Sequence, residues 1–133
     1  MSWRTKRDGA GTSGGAWPRS TVTTSGEPLP RRGEVWWIRA DKRRPAVVVQ
    51  TDKVRDPRVR SFLVVPLTSR LHLEGLPGNV RVGRRDTGLS KASVANVYDI
   101  QKVMRSDFLE HLGALPEAAV ASIASGLRLA LDL

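Results

Sequence analysis

The 133-residue sequence has no cysteine, only two histidines and no long apolar run. Without cysteine, disulfide scaffolds, thiolate zinc sites and cysteine nucleophiles are excluded. His72 and His111 cannot form a multi-histidine metal cluster without many carboxylate partners. The aliphatic runs reach about four residues, whereas a membrane-spanning helix needs ~20. Because the amino terminus also has no apolar signal core, we expect a cytoplasmic protein with no membrane partner.

The first thirty residues differ in composition from the rest of the chain. Seventeen of residues 1–30 are Gly, Ser, Thr or Pro, and apolar side chains are scattered among them. Such a segment buries too little apolar surface to offset the entropy of ordering it. We therefore expect residues 1–30 to be a disordered or dispensable tail and residues 31–133 to fold. Trp3 and Trp17 leave open a second interpretation, a basic arm that contacts nucleic acid.

Short runs rich in β-branched and aromatic residues predict most of the folded part to be strands. The clearest runs are residues 34–39, 46–50 and 61–67. Alternation over 79–82 predicts an edge strand, and 93–103 predicts one further continuous strand. Five or six short strands followed by a helix indicate a small, strongly bent antiparallel barrel.

Two helices are expected near the carboxyl terminus. Ser106 is a suitable N-cap for a short helix that would contain His111 and end at Gly113. The last helix would begin at Pro116. Its apolar residues recur at spacings of three and four: Val120, Ile123, Leu127 and Leu131. We expect this apolar stripe to support a homodimer.

The charge of the chain points to a polyanionic partner. Lys and Arg number 22 against 13 Asp and Glu, a net charge of +9. Three basic clusters fall in predicted turns: 31–32, 42–44 and 84–85. Trp36 and Trp37 must face opposite sides of a strand, so one is expected in the core and the other could stack on a base. No familiar catalytic constellation is present, and the residues alone predict a basic β domain that binds nucleic acid.

Five segments of residues 31–133 match one family in the same order and at similar spacing. They are RRGEVWW (31–37), RRPAVVVQTD (43–52), VVPLTS (64–69), TGLSKASVANV (87–97) and a tail from LGALPE (112–117) to GLRLALDL (126–133). With these segments the chain resembles the MazF/PemK family of toxin endoribonucleases.

The resemblance implies a fold, a reaction and partners. The implied fold is mainly β, a small antiparallel SH3-like barrel with a C-terminal helix, paired as a homodimer. The implied reaction is metal-independent, cofactor-free cleavage of single-stranded RNA (mRNA) at short sequences. Attack by a ribose 2′-hydroxyl would leave a 2′,3′-cyclic phosphate and a 5′-hydroxyl. The second implied partner is a cognate antitoxin protein that covers the RNA groove.

Two catalytic positions carry over from the family to this sequence. Arg44, before the proline of RRPA, matches the family's catalytic arginine, and Thr68 in PLTS matches its catalytic threonine. A guanidinium suits the negative charge that builds on the phosphate, and a hydroxyl can donate to a phosphate oxygen or orient the attacking group. We expect contacts to RNA from Lys42, Arg43, Ser69, Asn96, Asp99 and Lys102.

Two departures from the family pattern bear on sequence specificity. The segment between the first strand and RRPA is very short, 40–43, and Gln101 stands where many relatives have an arginine. An RNA-binding module that has lost catalysis therefore stays open as an alternative. Another is a non-catalytic, CcdB-like poison of a protein target, on a similar barrel. CcdB-like toxins act through their chain end, and the apolar end here is better suited to packing.

Overall fold

The computed structural model describes residues 29–133, and these residues form one curled antiparallel sheet with a carboxyl-terminal helix. The strands are β1 (Glu34–Arg39), β2 (Arg43–Val48), β3 (Ser61–Thr68), β4 (Val80–Val82), β5 (Ser93–Ala95), β6 (Gln101–Met104) and β7 (Phe108–Ala114). The helices are the single turn α1 (Arg84–Thr87) and α2 (Glu117–Leu131), and the 3-10 turns are Leu71–Gly75, Val97–Asp99 and Arg105–Asp107. The predicted mainly-β fold of SH3-like type with a terminal helix is confirmed.

Strand β3 is the hub of the sheet. The strand order is β4-β5-β3-β2-β1-β7, and β6 pairs with the first half of β3 while β5 pairs with its end. The predicted single strand over 93–103 is therefore wrong, because the chain leaves the β5 ladder in the turn Val97–Asp99 before it returns as β6. This break places Asn96 and Asp99 beside the end of β3.

Alternate residues of β1 to β3 fill two separate apolar clusters on the two faces of the sheet. Val35 and Trp37 belong to the cluster under α2, whereas Trp36 and Ile38 belong to the other. Trp36 is 8% exposed and Trp37 is 4% exposed. The expectation that one of the two tryptophans could stack on a base is therefore wrong, because both rings are core.

The segment predicted as a short helix over 106–113 is strand β7, paired with β1. Phe108 and Leu112 are four residues apart, a spacing that suits a helix as well as one face of a strand. The β1–β7 register shifts twice, and these irregularities bring Phe108 to one cluster and Leu112 to the other. Long-range pairing with β1 thus decides the conformation of this segment.

Helix α2 covers one cluster with the stripe predicted for it. Ile123 is buried, and Val120 and Leu127 pack against the same core, whereas Leu131 is about half exposed. Pro116 precedes α2 as its N-cap rather than forming its first helical residue. Most of the stripe is thus used inside the chain and does not form a free surface.

The predicted tail lies almost wholly outside the described residues. Of residues 1–30, only Leu29 and Pro30 are described; Leu29 packs against the second cluster and Pro30 is fully buried. Within residues 29–133, neither helix is long and apolar enough to cross a membrane.

Candidate active site

An open cleft of about 240 Å³ lies where β2 begins and β3 ends. The β1–β2 hairpin and the loop after β3 form two of its walls, and the turn between β5 and β6 forms a third. Its lining residues are Lys42, Arg43, Arg44, Pro66, Leu67, Thr68, Arg70, Leu73, Asn96 and Asp99. Four cations share this small volume with one carboxylate, so the cleft suits an anionic ligand.

The side chain of Arg44 reaches the cleft from β2, and it is 19% exposed. One terminal nitrogen lies 2.7 Å from Asp41 Oδ1, and the other lies 3.6 Å from Asp99 Oδ2. Nε of Arg44 is buried and has no hydrogen-bond partner among residues 29–133. The guanidinium is thus held between carboxylates from two elements, and Asp41, at 73% exposure, leaves one of these pairs open to solvent.

Thr68 ends β3 on the same cleft, where β3 pairs with β5. Its Oγ1 accepts a hydrogen bond of 3.2 Å from the backbone N–H of Arg70, which turns the chain away from the sheet. The structure therefore brings Thr68 and Arg44 to one cavity although 23 positions separate them in the sequence. Ser69 follows directly but is not part of the cleft wall.

Two asparagines shape the wall that carries Asp99. The Nδ2 group of Asn79 donates to Asn96 Oδ1 at 3.3 Å, and Asn79 Oδ1 accepts from the N–H of Val97 at 2.9 Å. Asn96 Oδ1 also accepts from the N–H of Tyr98 at 3.2 Å. These side-chain bonds replace the ladder that ends at this point, so they hold the turn in place. The supporting role of Asn79 was not predicted, because the alternation over 79–82 predicted only an edge strand.

Four of the six predicted RNA contacts line the cleft: Lys42, Arg43, Asn96 and Asp99. Lys102 is exposed on β6 opposite Leu63, away from the cleft lining. Arg70 and Leu73 line the cleft and were not predicted, although Arg70 directly follows the PLTS segment. The position of Arg70 directly after a recognised segment is the signal in the sequence that could have identified it.

The cleft cations differ in how far their charge is compensated. Arg43 lies 4.8 Å from the Trp37 ring centre and 3.5 Å from Glu110 Oε1, and Arg44 has its two aspartates. Lys42 and Arg70, by contrast, have no carboxylate partner within the described part of the chain. Of the three basic clusters in the sequence, only 42–44 reaches the cleft.

The histidines lie elsewhere. His72 is exposed in the turn Leu71–Gly75. His111 Nε2 lies on β7, 3.0 Å from the carbonyl oxygen of Gly113 and 3.6 Å from Glu34 Oε2. Burial raises the pKa of Glu34, although hydrogen bonds from the Arg31 N–H and the Trp36 indole oppose the rise. No cluster of three or more potential metal ligands occurs among residues 29–133.

Residues 31–131 match the family model of the PemK-like, MazF-like toxins of type II toxin–antitoxin systems. The chain belongs to this family. The resemblance noted in the sequence is thereby confirmed, and with it the predicted role as a toxin. The predicted catalytic positions Arg44 and Thr68 both lie inside the matched range.

Named relatives and solved structures agree with this assignment. The chain is 31% identical to Endoribonuclease MazF6 of Mycobacterium tuberculosis over 110 residues, which cover 77% of this chain and 96% of the relative. It is 32% identical over 106 residues to the probable endoribonuclease MazF5 of the same species, with 78% and 94% covered. The structure of the Mycobacterium tuberculosis toxin MazF-mt6 matches with a TM-score of 0.66 at 26% identity, covering 75% of this chain and 97% of that one. A mycobacterial endoribonuclease bound to its cognate antitoxin has the same fold, with a TM-score of 0.66 at 23% identity and coverage of 79% and 97%.

Proposed function

We propose that this toxin is an endoribonuclease that cleaves single-stranded RNA at short sequences in the cytoplasm. The observation that carries the proposal is that Arg44 and Thr68 line one basic cleft. The relatives named endoribonuclease, at 31% and 32% identity, support the same reaction class.

Arg44 is assigned the role of stabilising the negative charge that builds on the phosphate. In the reaction the ribose 2′-oxygen bonds to the adjacent phosphorus and the bond to the 5′-oxygen breaks, which leaves a cyclic phosphate and a 5′-hydroxyl. Negative charge concentrates on the non-bridging oxygens, and a guanidinium presents them with a rigid fork of donors. The ion pair with Asp41 does not prevent this, because an exposed pair is worth only about 0–1 kcal/mol and a phosphate can replace it.

Thr68 is assigned the role of orienting the reacting phosphate. Its hydroxyl oxygen accepts the N–H of Arg70, which holds the side chain at the end of β3 on the cleft. A phosphate bound by Arg44 would lie in the same cleft, and a hydroxyl there can contact a phosphate oxygen. Lys42 and Arg70 would bind the neighbouring phosphates, because their charges have no carboxylate partner within residues 29–133.

The test is cleavage of a long RNA by the purified chain in excess chelator. We expect discrete fragments that end in cyclic phosphates, and we expect Arg44→Ala to reduce the rate by about 10²–10³-fold. Arg58→Ala is the matched control, since Arg58 also pairs with an aspartate but lies on an exposed loop outside the cleft. RNA binding without fragments would instead select the RNA-binding module. If the chain neither binds nor cleaves RNA, the result would favour the alternative in which it poisons a protein target.

The proposed assembly is a homodimer that is bound by an antitoxin protein. Support comes from the structures of related toxins, one of which holds its cognate antitoxin. The apolar side chains that α2 and the chain end leave exposed are Leu129, Leu131 and Leu133. Sedimentation at micromolar concentration should give a species of twice the 14.6 kDa chain mass. A monomer under those conditions would contradict the dimer.

A further inference from the structure

One exposed aromatic side chain, in the turn that forms a wall of the cleft, has no role in the chemistry described so far. Tyr98 is the single tyrosine of the chain, and it lies between the cleft residues Asn96 and Asp99. Among the five Phe, Trp and Tyr side chains of residues 29–133, it is the one outside the core. Tyr98 is 51% exposed, whereas the two tryptophans and two phenylalanines are at most 8% exposed.

Hydrogen bonds hold Tyr98 at both ends. Its backbone N–H donates to Asn96 Oδ1, and its hydroxyl donates to the carbonyl oxygen of Pro77 at 2.5 Å. Pro77 belongs to the same connection as Asn79, whose side chain bonds to Asn96. The ring is therefore fixed in place while half of its surface stays in water.

A fixed and exposed ring in the turn that carries the cleft residues Asn96 and Asp99 suits one ligand in particular. Bases of single-stranded RNA stack on aromatic side chains, and each such contact is worth about 1–3 kcal/mol. A ring that is already oriented loses little conformational entropy when a base stacks on it. The buried Trp36 and Trp37 cannot offer this surface.

We propose that Tyr98 is a positioning residue that stacks on the base of a nucleotide next to the scissile phosphate. The proposal rests on the proposed function, since it takes RNA as the ligand of the cleft. Stacking would determine which phosphate of the RNA strand Arg44 and Thr68 contact. Because a stacked base is held equally before and during bond cleavage, Tyr98 should act on KM more than on kcat.

The first experiment measures binding to an RNA whose riboses are all 2′-O-methylated and therefore cannot be cleaved. We expect Tyr98→Leu to weaken binding by about 5- to 150-fold, the equivalent of one stacking contact. Tyr98→Phe keeps the ring and removes the bond to Pro77, so it should stay within about threefold of the wild type. Leu109→Ala, an exposed apolar side chain outside the cleft, should have no effect.

The second experiment removes single bases near the cleavage site mapped in the fragments. Removal of the base that stacks on Tyr98 should lower the affinity of the wild type for the RNA. Tyr98→Leu already lacks this contact, so it should bind the abasic RNA as tightly as it binds the intact RNA. Equal abasic penalties in both proteins, or equal weakening by the Phe and Leu variants, would overturn the stacking role. Wild-type protein that cleaves RNA while Tyr98→Leu binds normally would refute this inference alone. Absence of cleavage by the wild type would refute the proposed function instead.

Discussion

Asp41 should weaken RNA binding, because it competes with the substrate for Arg44. Its carboxylate lies 2.7 Å from a terminal nitrogen of Arg44, whose side chain lines the cleft. Asp41→Asn removes the negative charge and keeps an oxygen that can accept the N–H of Lys42, as Asp41 does at 3.0 Å. The turn should therefore survive the substitution, and the change isolates the charge.

The size of the effect follows from the exposure of Asp41. A phosphate and the Asp41 carboxylate that share one guanidinium would lie about 4 Å apart, where two unit charges in a water-like medium repel by about 1 kcal/mol. Asp41 is 73% exposed, so the water-like value applies. Removal of the charge should tighten binding of uncleavable RNA by about fivefold at low salt, and the gain should shrink as salt screens the charges.

The control for Asp41→Asn is Asp56→Asn, which makes the same change in net charge. Asp56 pairs with Arg58 at 2.6 Å in the loop between β2 and β3, outside the cleft. The Arg58 guanidinium lowers the pKa of Asp56, so this carboxyl is charged under assay conditions. Affinity should not change by more than about twofold in the control. Unchanged or weaker binding by Asp41→Asn would refute the competition and indicate that Asp41 is needed to orient Arg44.

Two further predictions concern stability. A Cβ on Gly126 of α2 would lie 2.9 Å from the carbonyl carbon of Gly78, so Gly126→Ala should lower the free energy of unfolding by about 1–3 kcal/mol, although alanine normally favours a helix. Gly75→Ala, with open space around its Cβ, is the control, and chemical denaturation that gave equal stability for both would contradict the close approach. The folded state raises the pKa of Glu34 above its ordinary value of 4.5, so it binds a proton more tightly than the unfolded chain does. Stability from this group is present below pH 4.5 and is lost as pH rises through the folded pKa. The free energy of unfolding of the wild type minus that of Glu34→Gln should therefore fall over this window, and a constant difference would contradict the burial effect.

Local pattern was sufficient for the elements whose neighbours in the sheet are also close in sequence. Strands β1 to β3 form consecutive antiparallel pairs, and their apolar runs predicted them within a few residues. Helix α2 was predicted because its apolar spacing has the helical period. The prediction failed for β7, where the spacing of Phe108 and Leu112 fits either period and only pairing with β1 decides.

The sequence likewise predicted some residues of the candidate site and missed others. Arg44 and Thr68 could be identified from short sequence segments, because each follows from a family pattern around a proline or a strand end. Arg70 was not predicted, because its residue type does not separate a cleft arginine from the other surface cations and its position after the PLTS segment was the one signal available. Which cations are compensated depends on distances between elements, such as the 3.6 Å between Arg44 and Asp99.

The sequence by itself determined the type of fold, the basic character and the two side chains expected to act on a phosphate. The fold type and the basic character follow from periodicity and composition, which are local, and the two side chains follow from the resemblance of short segments to a known family. Only the tertiary structure decided that both tryptophans are buried, that Tyr98 is exposed and that Arg44 lies between two aspartates. Burial and ion pairing arise between residues far apart in the chain, and the physical reason is that the curled sheet, not the sequence neighbourhood, sets those distances.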